Sequence, residues 1–267
     1  MAYAWVAWYG FRRHAAYRVG ALSEAVTNTV FGFLRAYILM ALWHTRPGLG
    51  GYEVTDAVMF CFLTQSLIGP MQIFGGMDLT ARIRTGDVAI DLHRPVDLQG
   101  WWLADDLGRA VFALVFRGGP PLLIGTLAFR LDGPGAAGWA AFGGSVLLGM
   151  LVGFGLRYIV ALLTFWLHDY RGIEAVALVT SLFFSGMILP LVIFPGRLGD
   201  LARLLPWSAL VQVPADVFLG KAGAFGLTGD AGLLAAYGFQ ATWALLLLAT
   251  GRALTAAARR RLVIHGG

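Results

Sequence analysis

The chain has 267 residues, of which 58% are hydrophobic and only 13% are charged, and its formal net charge is +5. Charged residues make up about 25% of an ordinary soluble protein, so this chain lacks the polar surface that a soluble domain of its size needs. The composition therefore excludes such a domain. It predicts an all-α integral membrane protein whose residues 1–267 form a single transmembrane domain.

Residues 1–18 predict an N-terminal interfacial helix. In a helical projection Trp8 and Phe11 share one side, while Arg12 and Arg13 lie near the water. Aromatic rings beside basic residues are typical of a helix that lies in the headgroup layer. The alternative is that this segment is only the frayed start of the first span.

Six transmembrane helices are predicted, because a span takes about 20 largely apolar residues. They cover roughly residues 19–43, 55–74, 103–129, 139–167, 173–194 and 231–254. With a cytoplasmic N-terminus, the inner side holds eleven arginines: Arg12, Arg13, Arg18, Arg82, Arg84, Arg94, Arg171, Arg252, Arg259, Arg260 and Arg261. The outer side then holds only Arg46, Arg130, Arg197, Arg203 and Lys221. Since basic loops stay in the cytoplasm, both termini are predicted to be cytoplasmic.

Glu24, Asn28 and Arg35 of the first span are spaced four and seven residues apart. At about 100° per residue they form one polar stripe. Because charges in hydrocarbon are costly, we expect the stripe to face protein or an aqueous path. Hydrogen bonding between helices and contact with a substrate are both compatible with it.

The second and third spans are separated by a charged segment, residues 75–102, which we call the connector. A short helix is predicted around Thr80–Arg84, and Gly86 offers a C-terminal stop. The connector also contains apolar side chains that plain solvent would not favour: Ile83, Val88, Ile90 and Leu92. A solvated linker is the simplest interpretation, but these residues favour a surface that docks a partner.

Several charged residues of the later spans have predicted partners. Asp105 and Arg109 stand four apart in the favoured acid-before-base order, which predicts an ion pair. Arg157 is expected to reach the inner surface or to pair with an acid such as Glu174.

Arg117 is followed by two glycines and two prolines inside an apolar stretch. Proline lacks a backbone donor and clashes with the preceding turn, so a kink or a helix end with a re-entering chain is expected there.

Residues 195–226 are predicted to lie outside the membrane as an extracellular hairpin or loop. Leu198, Leu201 and Leu205 form one apolar face of a short amphipathic helix within it. That pattern favours shallow burial in the bilayer over a plain loop.

Four motifs in the chain resemble permease subunits of type-2 ATP-binding-cassette (ABC) exporters. They are Ile83-Arg84-Thr85-Gly86-Asp87 with Leu92-His93-Arg94-Pro95-Val96-Asp97, Ser185-Gly186-Met187-Ile188-Leu189-Pro190 with Phe194-Pro195, Leu205-Pro206-Trp207, and the tail Arg261-Leu262-Val263-Ile264-His265-Gly266-Gly267. Their combination and order carry the resemblance, since no single motif is specific. The tail is similar to that of one bacterial branch, which implies the bacterial inner membrane.

The resemblance implies that the connector holds a coupling helix resting in a groove of a separate ATPase subunit. The residues it implies for this contact are Leu79, Arg82, Arg84, Asp87, Asp91 and Arg94. It also implies a second permease chain, identical or related, beside this one.

The sequence lacks the P-loop that an ATPase needs. Its only lysine, Lys221, is followed by alanine and not by the Ser or Thr of that motif. ATP and Mg would therefore be held by the partner ATPase, and this chain is predicted to have no cofactor of its own.

The predicted function is the membrane-spanning permease subunit of an ATP-driven exporter of a hydrophobic or amphipathic substrate. The intramembrane candidates for the path are Glu24, Asn28, Arg35, Arg117 and Arg157. Neither a catalytic residue set nor a metal site is predicted, and no basic, aromatic-rich surface indicates nucleic acid. The alternatives are an ion-driven secondary transporter and an integral membrane enzyme acting on lipid.

Overall fold

The computed structural model of the protein describes residues 2–93, 95–167, 170–221 and 229–262. The helices are α1 (Ala2–Ala15), α2 (Arg18–Thr45), α3 (Val54–Met71), α4 (Asp78–Thr85), α5 (Val88–His93), α6 (Leu98–Ala113), α7 (Gly119–Phe129), α8 (Ala136–Leu163), α9 (Tyr170–Phe184), α10 (Gly196–Leu204), α11 (Gln212–Phe218) and α12 (Gly229–Leu262). No strand occurs within these ranges. Arg94, the end of the predicted outer segment and the tail motif after Leu262 lie outside the described residues.

Five helices are long and apolar enough to cross a membrane: Arg18–Thr45, Val54–Met71, Leu98–Phe129, Ala136–Leu163 and Gly229–Arg260. The predicted all-α class is thereby confirmed for the part of the chain that the structure describes, and five of the six predicted spans correspond to such helices. Their bounds fall within a few residues of the hydropathy limits for α2 and α3. The orientation of the termini stays a prediction.

The predicted fifth span, 173–194, is not one continuous helix. α9 has 15 residues and ends at Phe184, which is short of the roughly 20 that a straight span needs. Gly186 then adopts the left-handed region at φ 85°, and the chain turns. Gln212 holds this turn, because its backbone N–H donates to the Ser185 carbonyl at 2.9 Å and its Oε1 accepts from the Leu191 N–H at 2.8 Å.

α3 is the central helix of the fold. All side chains from 57 to 71 are buried, and the helix packs against α2, α6, α7, α8 and α11. A helix that is apolar on every side has to be enclosed by others. Phe62 takes part in one such contact, where its ring and those of Phe33 and Phe129 all pack against one another.

The region of Arg117 is neither a helix end nor a re-entrant turn. Leu114–Gly118 forms a π-helical segment that continues directly into α7. The wider π turn accommodates Pro120 and Pro121, which cannot donate to the preceding turn and would clash with it in a regular α-helix. The alternative of a helix end with a re-entering chain is therefore wrong, and one long helix widens locally instead.

The two predicted amphipathic segments are helical. α1 is separated from α2 at Tyr17 and packs along α6, with the Phe11 ring edge-on to Phe112 at 5.6 Å between centroids. It is therefore a distinct helix and not the start of the first span. α10 buries Gly199 and Ala202, while its leucines are exposed in this single chain. The membrane location of both helices stays a prediction.

Candidate functional site

The connector forms two short helices, α4 and α5, as a hairpin. α4 ends at Thr85 and is capped by Gly86, which has a φ of 84° and donates its N–H to the Ile83 carbonyl at 3.3 Å. The predicted short helix and its glycine stop are confirmed.

Buried apolar side chains attach this hairpin to the long helix α8. Leu79 and Val88 lie in one cluster with Phe154, Tyr158 and Leu162. Leu79 is 0% exposed, so it positions α4 on α8 and is not available to a partner in this arrangement.

An ion pair links the two helices of the hairpin. Arg82 donates from Nε and Nη2 to the Asp91 carboxylate, with Nη2 and Oδ1 3.0 Å apart. A two-pronged arginine–carboxylate contact fixes orientation as well as distance. Arg82 and Asp91 therefore maintain the shape of the hairpin.

The exposed residues of the hairpin include Arg84, Asp87 and Ile90. The Arg84 guanidinium lies 4.2 Å from the centre of the Tyr170 ring, and Asp87 accepts a hydrogen bond from Thr85 at 2.7 Å. Ile90 is 59% exposed, whereas Val88 is buried. We call these three residues the connector surface. The sequence shows Ile90 only as one of four apolar residues of the connector. Which of the four is exposed depends on the fold, so it could not be predicted.

A buried charged cluster, the Asp106 network, joins α3, α6 and α8. Asp106 accepts from both terminal nitrogens of Arg157 at 2.9 and 2.8 Å, and from Arg109 Nε at 2.9 Å. Arg157 also donates to Gln72 Oε1 at 2.7 Å. Arg109 further donates to the carbonyls of residues 69 and 70 at 2.8 and 3.0 Å, where α3 ends.

The predicted pairing of Asp105 with Arg109 is wrong. Adjacent helical residues point about 100° apart, and it is Asp106 that faces the interior. Asp105 faces α1 and binds Arg13 at 3.0 Å. The expectation that Arg157 pairs with an acid is confirmed, but the acid is Asp106 and not Glu174.

The predicted polar stripe lines a cavity of about 880 Å³ along α2, which we call the α2 cavity. Glu24 forms a salt bridge with Arg117 at 2.8 Å. Arg35 donates to Thr64 Oγ1 at 2.9 Å and to the Ile188 carbonyl at 3.0 Å. The structure thus brings four of the five intramembrane candidates to one region, while Arg157 belongs to the Asp106 network.

A second polar cluster was not predicted from sequence. It lies at the opposite end of α3 from the connector, where the Tyr52 hydroxyl and Gln212 Nε2 both donate to Asp216 Oδ1, the latter at 2.9 Å. Tyr52 and Asp216 are 164 residues apart, so only the fold brings them together. Among the residues that the structure describes, no group of three or more His, Cys, Asp or Glu side chains is placed to hold a metal ion.

Burial raises the pKa of Asp216 to about 7, although hydrogen bonds from Tyr52 and Gln212 oppose the shift. A folded-state pKa above the ordinary value of 3.8 means that the folded protein binds the proton more tightly than the unfolded chain does. The resulting contribution to the free energy of unfolding is on the order of 4 kcal/mol. It is fully present below about pH 4 and is lost as the pH rises to about 7.

We therefore expect the parent protein to lose stability, relative to Asp216→Asn, as the pH rises from about 5 to about 7.5. Thermal unfolding of both proteins across this range measures the difference. Asp200→Asn, at an exposed site on α10, is the control and should follow the parent at every pH. A parent and an Asp216→Asn variant with parallel pH profiles would contradict the prediction.

The fold is that of a multi-pass membrane protein. Its long apolar helices surround a buried central helix, and one charged hairpin lies between the second and third of the predicted spans. The chain matches the family described as ABC-2 family transporter protein over residues 29–266. It therefore belongs to this family, whose members are the membrane components of ABC transporters, and the resemblance noted in the sequence is confirmed. Neither a curated protein nor a solved structure matched the chain.

Proposed function

We propose that the chain is the permease subunit of an ATP-driven exporter in the inner membrane of a bacterial cell. Family membership implies association with ABC ATPase subunits. In the proposed complex, a second permease stands beside this chain and two ATPase subunits dock from the cytoplasm. Six spans, with both termini inside, complete the proposed arrangement.

The observation that carries this proposal is the connector hairpin and its mounting on α8. Leu79 and Val88 pack the hairpin against α8, and the Arg82–Asp91 pair maintains its shape. Arg84, Asp87 and Ile90 stand outward, combining both charge signs with an apolar side chain. A small surface of this kind suits a groove on a soluble partner, where an apolar anchor is surrounded by polar contacts.

The packing of the hairpin on α8 also connects the connector mechanically to the membrane helices. ATP and Mg²⁺, held by the partner, would supply the driving force. A shift of the hairpin would move α8, which carries Arg157 into the Asp106 network. That network reaches α6 and the end of α3, so displacement at the connector would reach the helices that surround the α2 cavity. Switching of this type requires two packings of similar energy that the partner's state biases.

Co-purification tests the proposal. The chain is co-expressed with the ABC ATPase subunits of its source organism, and the bound ATPase is quantified. We expect stoichiometric binding, and a loss of at least about tenfold in retained ATPase for Arg84→Glu combined with Ile90→Asp, since both remove central contacts. Arg82 is left intact because its reversal would break the hairpin itself.

Arg197→Glu is the matched control, because it reverses an exposed arginine on α10 at the predicted outer face. It should retain ATPase as the parent does. Transport by the purified chain without any ATPase would overturn the proposal in favour of an ion-driven transporter. Chemical turnover of lipid under the same conditions would instead indicate an enzyme.

A further inference from the structure

Arg35 lies well inside α2, one of the candidate membrane spans. At 1.5 Å per residue it lies roughly 25 Å from the start of α2 and roughly 15 Å from its end. Its hydrogen-bond acceptors are the Thr64 hydroxyl and the Ile188 carbonyl, which are both neutral. Among the described residues no carboxylate forms a salt bridge with it. A lone charge at this depth is costly and is typical of a functional site.

The other polar groups nearby do not supply that counter-charge. Glu24 is already bound to Arg117 at 2.8 Å. Asn28 lies between Glu24 and Arg35 on the same face of α2, is 7% exposed, and its Nδ2 has no hydrogen-bond partner among the described residues. A guanidinium has five N–H donors, of which the two bonds above use two. The region therefore has spare donors and an excess positive charge.

The remaining lining of the α2 cavity is apolar except for Thr27 and Gln65. Phe31, Leu34 and Ile38 of α2 line it, together with Met187 and Leu189 from the turn after α9. Its volume of about 880 Å³ lies in the range of pockets that hold drug-sized molecules. Phe31, Leu34 and Ile38 are each more than half exposed in this chain, so the cavity is open along the outer side of α2.

We propose that the α2 cavity binds an anionic amphiphile. Its negatively charged head group lies at Arg35 and Asn28, and its apolar tail lies along Phe31, Leu34 and Ile38. The proposal rests on the proposed function and deepens it, because it names the chemical class of the exported substrate. A neutral or cationic amphiphile of the same size would leave the Arg35 charge uncompensated.

A matched pair of probes isolates the charge. The purified full-length chain is placed in nanodiscs of zwitterionic phosphatidylcholine, without any ATPase. Binding of a pyrene-labelled long-chain fatty acid and of its methyl ester is then measured by fluorescence. The two probes share one apolar body, and only the acid carries the charge. We expect the acid to bind roughly 10- to 100-fold more tightly, as hydrogen bonds to charged groups imply.

Variants assign the effect to Arg35. Arg35→Gln should weaken binding of the acid by about tenfold or more and leave binding of the ester unchanged. Arg35→Lys keeps the charge and should retain most of the preference. Arg46→Gln removes an exposed arginine just beyond the end of α2 and should behave as the parent does. Asn28→Leu should weaken binding of the acid to a smaller extent than Arg35→Gln does.

Equal affinity for acid and ester in the unaltered chain would overturn the proposal, and this comparison does not depend on any variant folding. A preference that survives Arg35→Gln would overturn the assignment to this cavity. Adding phosphatidylglycerol to the nanodiscs distinguishes two sources of the anionic ligand. If phosphatidylglycerol displaces the labelled acid, the ligand is an anionic membrane lipid. If the labelled acid stays bound, the ligand is a free single-chain acid. Because no ATPase is present, charge-selective binding with failed co-purification would refute only the proposed function.

Discussion

Replacing Asp106 by asparagine should lower the free energy of unfolding by about 3–5 kcal/mol, the cost of removing one partner from a buried ion pair. Asp106 is the only carboxylate bonded to Arg109 and Arg157 among the described residues, and all three side chains are at most 11% exposed. Without it, two guanidinium groups would remain buried next to each other. Unfolding of the detergent-solubilised protein in increasing SDS, followed by tryptophan fluorescence, measures the change.

Asp105→Asn is the matched control. It removes the neighbouring carboxylate of the same helix, but the Arg13 partner of Asp105 is 54% exposed. Pairs of that kind contribute about 0–1 kcal/mol. Equal losses for the two variants would contradict the assignment of Asp106 as the buried anchor.

A double variant separates lost attraction from buried charge. In Asp106→Asn with Arg157→Gln, one of the two stranded positive charges is also removed. The combined loss should therefore be smaller than the sum of the two single losses, as expected for residues in direct contact. Additive losses would mean that the two residues act independently.

One sequence determines the length of an apolar helix more directly than it determines the partner of a buried charge. The bounds of α2 and α3 follow from hydropathy, because the length of an apolar run records the thickness of the bilayer. The partner of an internal charge does not follow from it. Asp105 and Asp106 have the same chemistry and adjacent positions, and only the packing of α1 and α8 around α6 decides which one meets Arg157.

The turn after α9 illustrates a second limit. Residues 185–194 are as apolar as the helix before them, so hydropathy extends the span through them. The chain turns there because Gly186 takes a left-handed conformation and Gln212, far along the sequence, bonds to both sides of the turn. Contacts at such separations, like that of Tyr52 with Asp216, leave no periodic signal in one sequence.

The glycine pair at the junction of the π segment and α7 provides a further test of close packing around α3. A Cβ on Gly118 would lie 2.2 Å from the Ser66 carbonyl oxygen, whereas the nearest atom to a Cβ on Gly119 is 3.8 Å away. The close atom is the backbone carbonyl oxygen of Ser66 in the enclosed central helix, so it cannot move aside as the end of a flexible side chain would. Gly118→Ala should therefore destabilise the protein by about 1–3 kcal/mol or more.

Gly119→Ala should destabilise the protein less than Gly118→Ala does. It adds the same methyl group one residue away, where the rest of the fold leaves more space. A residue with a Cβ is disfavoured in the helical conformation before a proline, and Pro120 follows Gly119, so a small loss remains. SDS unfolding of both variants compares them directly. If Gly118→Ala were as stable as Gly119→Ala, the π segment and α3 would not be in backbone contact. The larger loss expected for Gly118→Ala reports that contact, because composition and hydropathy change identically in the two variants.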